Sequence, residues 1–285
     1  MFDHHRASRR RGGLLLLWAA LCAPALADPI SLAPTLAGHY RAGTGVDAQF
    51  LKVQDSWRGS GVLYDPVTDQ LGVGQPIGNF PGGSGLWGLV DWHTAYHQPT
   101  AGMIEATWSG RATQIAFGDV GYNDVHGSAL GVVPLAPLFQ PGQDDAQQEN
   151  WAARFQGYIR ITEAGFYNFG VLHDDGFFFD LYGTDGQASI WNDFLNPPNR
   201  MAFADGLLLQ AGLYAFELGS YEHLEAGVVE LSWMRGDGAW SRLPSDHLVA
   251  VGDVAAVPEP ASGLLLAGGL LALAATRRAA RPPQI

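Results

Sequence analysis

Cysteine is almost absent from this sequence: the 285 residues contain one, Cys22. It lies in a short apolar stretch near the N-terminus, and it follows Leu21, whereas a lipid-anchored cysteine follows a small residue. Cleavage after Ala27, which is predicted below, would leave a protein without cysteine. Disulfide bonds, thiol chemistry and zinc–thiolate sites are therefore excluded from the processed chain.

Positive charge is scarce as well. Of 16 Lys and Arg residues, four lie in the first 27 positions and three in the last 29, which leaves nine between them. The same central region holds 26 of the 28 Asp and Glu residues, so its formal net charge is −17. A surface this acidic repels nucleic acid and anionic membranes. It suits an exported protein that binds divalent cations or neutral sugars, and it also favours solubility.

The sequence lacks the common catalytic motifs. It has no Gly-x-Ser-x-Gly elbow, no His-Glu-x-x-His, no phosphate-binding loop and no dinucleotide fingerprint. Carboxylates are plentiful, but no spacing singles out the facing pair that a glycoside hydrolase uses. The sequence therefore favours a non-catalytic protein and leaves a glycan hydrolase as an open alternative.

The N-terminus has the layout of a secretory signal peptide. Four arginines lie within residues 6–11, residues 14–21 are apolar, and Ala25 and Ala27 form a small-x-small cleavage site. The apolar run is too short to span a bilayer. We therefore predict a signal peptide over residues 1–27, removed by signal peptidase during export.

Between the two ends, the pattern indicates an all-β protein. Glycine and proline cluster in turns over residues 28–100, and apolar residues alternate with polar ones over much of residues 101–250. Alternation at this density predicts antiparallel sheets with one buried face, as in a β-sandwich or flattened barrel. Around a Gly-containing turn at 109–111, residues 102–118 predict a β-hairpin. Further strands are predicted at 155–161, 166–172, 177–182, 213–218 and 228–233.

The predicted organisation has five parts. After the signal peptide come a β-rich N-terminal region at 28–100, a β domain at 101–250 and a linker at 251–256. The last part, residues 257–285, begins with Val-Pro-Glu-Pro and continues with an uncharged segment at 261–276. Two basic residues follow it, Arg277 and Arg278. Sixteen uncharged residues before a basic cluster predict a short transmembrane helix with a cytoplasmic stop.

This three-part tail resembles the PEP-CTERM sorting signal of Gram-negative bacteria. The resemblance implies processing by an exosortase at Pro258, Glu259 and Pro260, so that the membrane span is transient. It also implies delivery to the cell envelope, the outer surface or the extracellular matrix, in association with exopolysaccharide or biofilm.

The segment 155–183 resembles the PA14 family. Gly-Phe-Tyr-Asn-Phe at 165–169 and His-Asp-Asp-Gly at 173–176 occupy the places of that family's hallmark strand and turn. Residues 212–233 look like its later strand pair. In sugar-binding PA14 members an Asp pair, sometimes joined by a cis peptide, holds a calcium ion that ligates sugar hydroxyls.

That resemblance carries the calcium-ligand role over to Asp174 and Asp175. Adjacent carboxylates repel each other unless a cation or solvent screens them, and Ca²⁺ accepts six to eight oxygen ligands from flexible loops. A second loop, near residues 221–225, would supply further oxygens. It lacks the family's usual Asn, and Glu222 is the predicted ligand there. An ordinary Asp-Gly hairpin turn is the alternative interpretation.

Three neighbouring residues are candidates for ligand contact. His173 precedes the Asp pair, although calcium prefers oxygen to nitrogen. Trp191 and Asn192 have the stacking and hydrogen-bonding groups of a sugar site, and a buried anchor is the alternative for the tryptophan. The sequence thus predicts a calcium-dependent carbohydrate-binding module. A structural matrix protein without glycan binding and a glycan hydrolase are the alternatives.

Overall fold

The computed structural model describes residues 29–36, 40–59, 64–65, 70–71, 84–126, 130–132, 138–139, 143 and 147–254. The predicted signal peptide and the predicted sorting tail, including its apolar segment, lie outside these residues. Within the part of the chain that is described, no helix combines the length and the hydropathy that crossing a membrane requires.

The described chain is mostly β-structure with two short α-helices. In chain order the elements are β1 (Ile30–Leu32), β2 (Val46–Val53), β3 (Tyr64–Asp65), β4 (Gln70–Leu71), α1 (Leu89–His97), β5 (Ile104–Ala112), β6 (Ala116–Gly118), α2 (Val120–His126), β7 (Gly131–Val132), β8 (Trp151–Ile161), β9 (Gly165–Asp174), β10 (Gly176–Tyr182), β11 (Gln187–Asn192), β12 (Asn199–Ala202), β13 (Leu207–Leu209), β14 (Gly212–Tyr221), β15 (Val228–Arg235), β16 (Ser241–Arg242) and β17 (Leu248–Val249).

Two large sheets contain all of these strands except the β3–β4 pair. The first sheet has the order β1-β13-β9-β15-β6-β7, with β12 also paired to β9 and β16 to β15. The second has the order β11-β10-β14-β8-β2-β5, with β17 also paired to β8. Pairing is antiparallel except between β1 and β13 and between β6 and β7. The predicted all-β fold is therefore confirmed in its main features.

The main core lies between the two sheets. Because successive side chains of a strand point to opposite faces, β10 sends Phe177 and Phe179 into this core and Phe178 to the outer face of the second sheet. On β8, Trp151 and Ala153 face inward and Ala152 faces outward. Alternation of this kind predicted the strands, and here it builds a two-layer sandwich.

Helix α1 covers the outer face of the second sheet. Its Trp92 is 1% exposed, packs edge-on against Phe178 with ring centroids 4.7 Å apart, and donates from Nε1 to the carbonyl of Ala153 at 2.9 Å. The all-β pattern predicted between the two ends did not include this helix. The apolar face of α1 spans only nine residues, too few for a sustained period to stand out.

The predicted hairpin at 102–118 is wrong. Strand β5 runs through residues 109–111 without turning, and Gly110 lies opposite Ala48 of β2 in the second sheet. Strand β6 then joins the first sheet beside β15. The Trp108 indole lies against Gly110, where a Cβ would be only 2.6 Å from the ring. This glycine therefore serves close packing rather than a turn.

The first strands of the chain belong to the same sandwich as the later ones. Strand β2, which precedes the predicted boundary at residue 100, pairs with β5 on one side and with β8 on the other. Strand β1 pairs with β13. The two sheets thus draw strands from both sides of that boundary.

Candidate functional site

The Asp174–Asp175 pair lies where the chain passes from one sheet to the other. Strand β9 ends at Asp174 in the first sheet, and β10 begins at Gly176 in the second. The peptide bond between the two aspartates is cis. Since β9 and β10 belong to different sheets, the Asp-Asp-Gly segment is a crossing between layers and not the hairpin turn that was the alternative.

Both ends of the crossing are tied to neighbouring strands. Asp174 lies opposite Val228 of β15, and the backbone N–H of Asp175 donates to the carbonyl of Tyr221 at 2.8 Å. The Asp175 carboxylate accepts two more backbone N–H groups, Asn196 N to Oδ1 at 3.1 Å and His223 N to Oδ2 at 2.9 Å. Two separate loops thereby position this carboxylate.

The electrostatics of the pair are unfavourable as they stand. Asp174 is 4% exposed and Asp175 5%. Burial, and then the charge of Asp175, raise the pKa of Asp174 well above its ordinary value. Burial also raises the pKa of Asp175, against the lowering effect of its backbone hydrogen bonds. Asp119 and Glu225 add further negative charge around the pair.

A cleft opens directly onto these carboxylates. Its volume is about 290 Å³. One wall comes from the loop between β11 and β12 and the other from the loop between β14 and β15. The lining residues are Asp174, Asp175, Leu195, Asn196, Pro197, Pro198, His223, Leu224, Glu225 and Ala226. The second wall is the loop in which the sequence analysis placed additional calcium ligands.

Glu222 lies behind the cleft and is fully buried. Its backbone N–H donates to the carbonyl of Trp151 at 2.9 Å, and neither carboxylate oxygen has a hydrogen-bond partner. Burial first, and then the charges of Asp175 and Asp119, raise its pKa well above the ordinary value. Among the described residues, no three side chains of His, Cys, Asp or Glu are grouped closely enough to hold a metal ion by themselves.

The other predicted contact residues lie beside the cleft rather than in its lining. His173 is fully buried, stacks at 4.4 Å on the ring of Phe177, and donates from Nδ1 to the Asp175 carbonyl at 2.6 Å. Trp191 packs into the cluster beneath α1, as the alternative interpretation expected. Asn192 accepts the N–H of Phe194 at 3.1 Å and so shapes the β11–β12 loop.

Sequence reasoning did not single out the first wall of the cleft or Asp119. Asn196, Pro197 and Pro198 follow a strand end, and only the Pro-Pro pair marks them as a loop. Asp119, which is fully buried, accepts the N–H of Gly227 at 2.5 Å, and this bond holds the second wall. Asp119 and Gly227 are more than a hundred residues apart, so no local sequence pattern connects them.

Together, the fold and the site define a two-sheet β-sandwich with an acidic cleft at one end. Family profiles match two parts of the chain, the PA14 domain at residues 140–246 and the PEP-CTERM protein-sorting motif at residues 256–278. The chain thus contains a PA14 domain followed by a PEP-CTERM sorting motif, as the sequence analysis predicted. A comparison with curated proteins gives no match.

Solved structures that this chain matches include the PA14 domain of the antifreeze protein MpAFP, at 16% identity and a TM-score of 0.45, covering 77% of this chain and 98% of that one. The epithelial adhesin 9 A domain of Candida glabrata, solved in complex with Galβ1-4GlcNAc, matches at 10% identity and a TM-score of 0.46, covering 78% and 95%. An anti-sigma factor domain-containing protein matches at 14% identity and a TM-score of 0.42, covering 73% of this chain. The alignment spans 48% of that protein's length.

Proposed function

We propose that this protein is an exported, non-catalytic carbohydrate-binding module in which Asp174 and Asp175 hold a calcium ion at the floor of the cleft. One observation carries the proposal: two adjacent carboxylates are buried together, and the charges that act most strongly on them are acidic. A buried carboxylate pair is unfavourable without a counter-charge, and the cleft gives a cation access to it.

The residues present fit a calcium ion. Calcium binds oxygen ligands in flexible geometry and accepts carboxylates, main-chain carbonyls and water. The pair supplies carboxylate oxygens, and Asp175 is oriented by the N–H groups of Asn196 and His223. Because no third acidic or histidine side chain completes a cage within the described residues, the other ligands would be loop carbonyls, water and hydroxyl groups of the bound molecule. Glu222, the further ligand that the sequence predicted, lies behind the cleft and is not grouped with the pair in this way.

The cleft suits a neutral, hydroxyl-rich ligand. Its volume of about 290 Å³ is at the lower end of the range for small-molecule pockets, so it would hold a small ligand. Pro197, Pro198 and Leu224 provide apolar contact surface, and the backbone around Asn196 and His223 provides polar groups. A bound calcium ion would add positive charge to which vicinal hydroxyl oxygens bind. The acidic surroundings would repel anionic ligands.

The sorting motif gives the module its destination. A signal peptide ending at Ala27 would direct export, and exosortase processing at residues 258–260 would release the domain from a transient membrane-spanning segment. The module would then lie on the surface or in the matrix of a Gram-negative cell, where exopolysaccharide is an available ligand.

A glycan array tests the proposal directly. The purified protein is applied with calcium and again with EDTA, and we expect binding that EDTA abolishes. The variant that combines Asp174→Asn and Asp175→Asn should lose binding by more than tenfold. The matched control combines Asp205→Asn and Asp237→Asn. These substitutions remove the same amount of negative charge from a different cavity, which lies at the start of β9 and the end of β15. This control should bind normally.

Other results would contradict parts of the proposal. Binding that persists in EDTA and in the Asp174/Asp175 variant would remove the calcium role. Absence of both glycan binding and a calcium-induced thermal shift would favour a structural matrix protein. Release of sugars from a polysaccharide, abolished by a carboxylate substitution, would favour the hydrolase.

A further inference from the structure

The chain contains a single lysine, Lys52, and it is buried. The other 15 basic residues counted with it are arginines. Lys52 lies on β2 directly opposite Trp151 of β8 and is 4% exposed. Lysine is seldom buried to this extent unless it is paired or has a chemical role. The groups around Lys52 Nζ show how the fold accommodates it and what it could do.

A carboxylate links Lys52 to a side-chain amide. Asp55, in the turn after β2, accepts hydrogen bonds through the same oxygen, Oδ1, from Lys52 Nζ and from Asn150 Nδ2, the latter at 3.1 Å. Two nitrogens that share one acceptor atom lie within a few ångströms of each other. The backbone keeps the residues adjacent as well, because the N–H of Val53 donates to the carbonyl of Asn150 at 2.8 Å.

The carbonyl group of the same amide is polarised from its other side. Asn150 Oδ1 accepts the backbone N–H of Leu86 at 2.9 Å and the Nδ1–H of His223 at 3.0 Å. The buried Asn150 side chain also lies against Gly85, where any Cβ would overlap Oδ1. Two N–H donors on a carbonyl oxygen form the arrangement that stabilises negative charge during attack on the carbonyl carbon.

We propose that Lys52 and Asn150 form an intramolecular isopeptide bond, with Asp55 as the proton-transfer group. Asp55 accepts a proton from Nζ, and the freed amine attacks Cγ of Asn150. Leu86 N–H and His223 Nδ1–H stabilise the charge that develops on Oδ1. The Nζ–Cγ bond forms and the Cγ–Nδ2 bond breaks. The two protons given up by Nζ leave with Nδ2 as ammonium, so the reaction needs no cofactor or oxidant.

This bond would cross-link β2 to the start of β8 across almost a hundred residues of chain. A cross-link over a long loop restricts the unfolded chain and so stabilises the fold. Without cysteine, the processed protein has no disulfide for this purpose. The exposed side chain of Asp55 (72% of its surface) places the reacting groups next to solvent, into which ammonia can leave.

Intact-mass spectrometry of the purified full chain tests the proposal. We expect a mass lower than the sequence mass by one ammonia, and fragment spectra that place the link between Lys52 and Asn150. A protease specific for lysine gives a second readout. Because Lys52 is the only lysine, the denatured unlinked chain would be cut once, whereas acylation of Nζ would leave the chain uncut.

Variants separate the proposed chemistry from accidental loss of ammonia. Asp55→Ala keeps Lys52 and Asn150 and should restore both the full mass and cleavage at Lys52. The control Asp47→Ala removes an exposed carboxylate from β2, the strand that carries Lys52, and should leave the link intact. A wild-type chain with full mass that is cut at Lys52 would overturn the proposal. So would an ammonia loss that maps to another asparagine or persists in Lys52→Arg.

Discussion

Two neighbouring parts of the first sheet bury carboxylates in opposite ways. Glu230, on β15, has a side chain only 8% exposed and accepts hydrogen bonds from Arg200 at 2.8 Å, Arg242 at 2.6 Å and Ser232 at 2.8 Å. Asp174 lies opposite Val228, two residues earlier on the same strand, but acidic groups dominate its electrostatic surroundings. We call the first group the Glu230 network and the second the Asp pair.

The pKa values of the two groups shift in opposite directions. Burial by itself would raise the pKa of Glu230, but hydrogen bonds from Arg200 and Arg242 outweigh it and lower that pKa. Burial and mutual repulsion raise the pKa of Asp174. The comparison separates a carboxylate that the fold neutralises by itself from one whose counter-charge must come from a proton or a bound cation. The first is structural, and the second is where a ligand is expected.

Among the substitutions, the largest change in stability should come from breaking the Glu230 network. Glu230→Gln leaves two arginines without their carboxylate, and we expect a loss of about 2 kcal/mol in the free energy of unfolding. This is below the usual cost of removing one partner of a buried pair, because both arginines are partly exposed. Urea denaturation measures it. The control Glu163→Gln breaks an exposed pair with Arg235 and should change nothing measurable. Equal losses in both variants would contradict the comparison.

Neutralising one member of the Asp pair should have the opposite effect and stabilise the protein. Without calcium, Asp174→Asn removes repulsion and the cost of burying a charge, so the free energy of unfolding should rise by about 1 kcal/mol. With calcium in excess, the wild type should gain about 3 kcal/mol at a hundred times the dissociation constant, and the variant should gain far less. Thermal unfolding with and without calcium measures both effects. A variant less stable than the wild type in EDTA would show that the pair is satisfied without a cation.

Much of the fold was predictable because it depends on local alternation. The strands predicted at 155–161, 177–182 and 228–233 all lie within strands of the sandwich. Which sheet a strand joins was not predictable. Alternation shows which side chains of a strand are buried, but it does not show which strands pair with it. The predicted hairpin was wrong for this reason. In the sequence, Gly110 suggests a turn, whereas in the structure it lies within β5 and allows the Trp108 ring to pack closely against the backbone.

The site was predictable only in part, for a related reason. Asp174 and Asp175 were predicted because His-Asp-Asp-Gly at 173–176 resembles the turn of the PA14 family, and because adjacent carboxylates repel each other unless a cation screens them. The groups around them come from distant segments. The N–H of Asn196, in the β11–β12 loop, positions Asp175, and Asp119, just before α2, holds the second wall of the cleft. No local pattern links these residues. The Glu230 network was equally hidden, because Arg200 and Arg242 reach Glu230 only after β12 and β16 have paired with β9 and β15.

Lowering the pH should produce the smallest effect on stability, and it tests most specifically the difference between the Glu230 network and the Asp pair. The pKa of Glu230 is lowered in the folded protein, so its stabilising contribution is present above the unfolded pKa of about 4.3 and is lost as pH falls through the lower folded value. The stability difference between wild type and Glu230→Gln should therefore be constant from pH 7 to about pH 5 and should shrink in more acidic solution. Urea denaturation of both proteins across this range measures that difference. A difference that grows towards acid pH would mean that Glu230 carries a proton in the folded protein, and the contrast with Asp174 would then disappear.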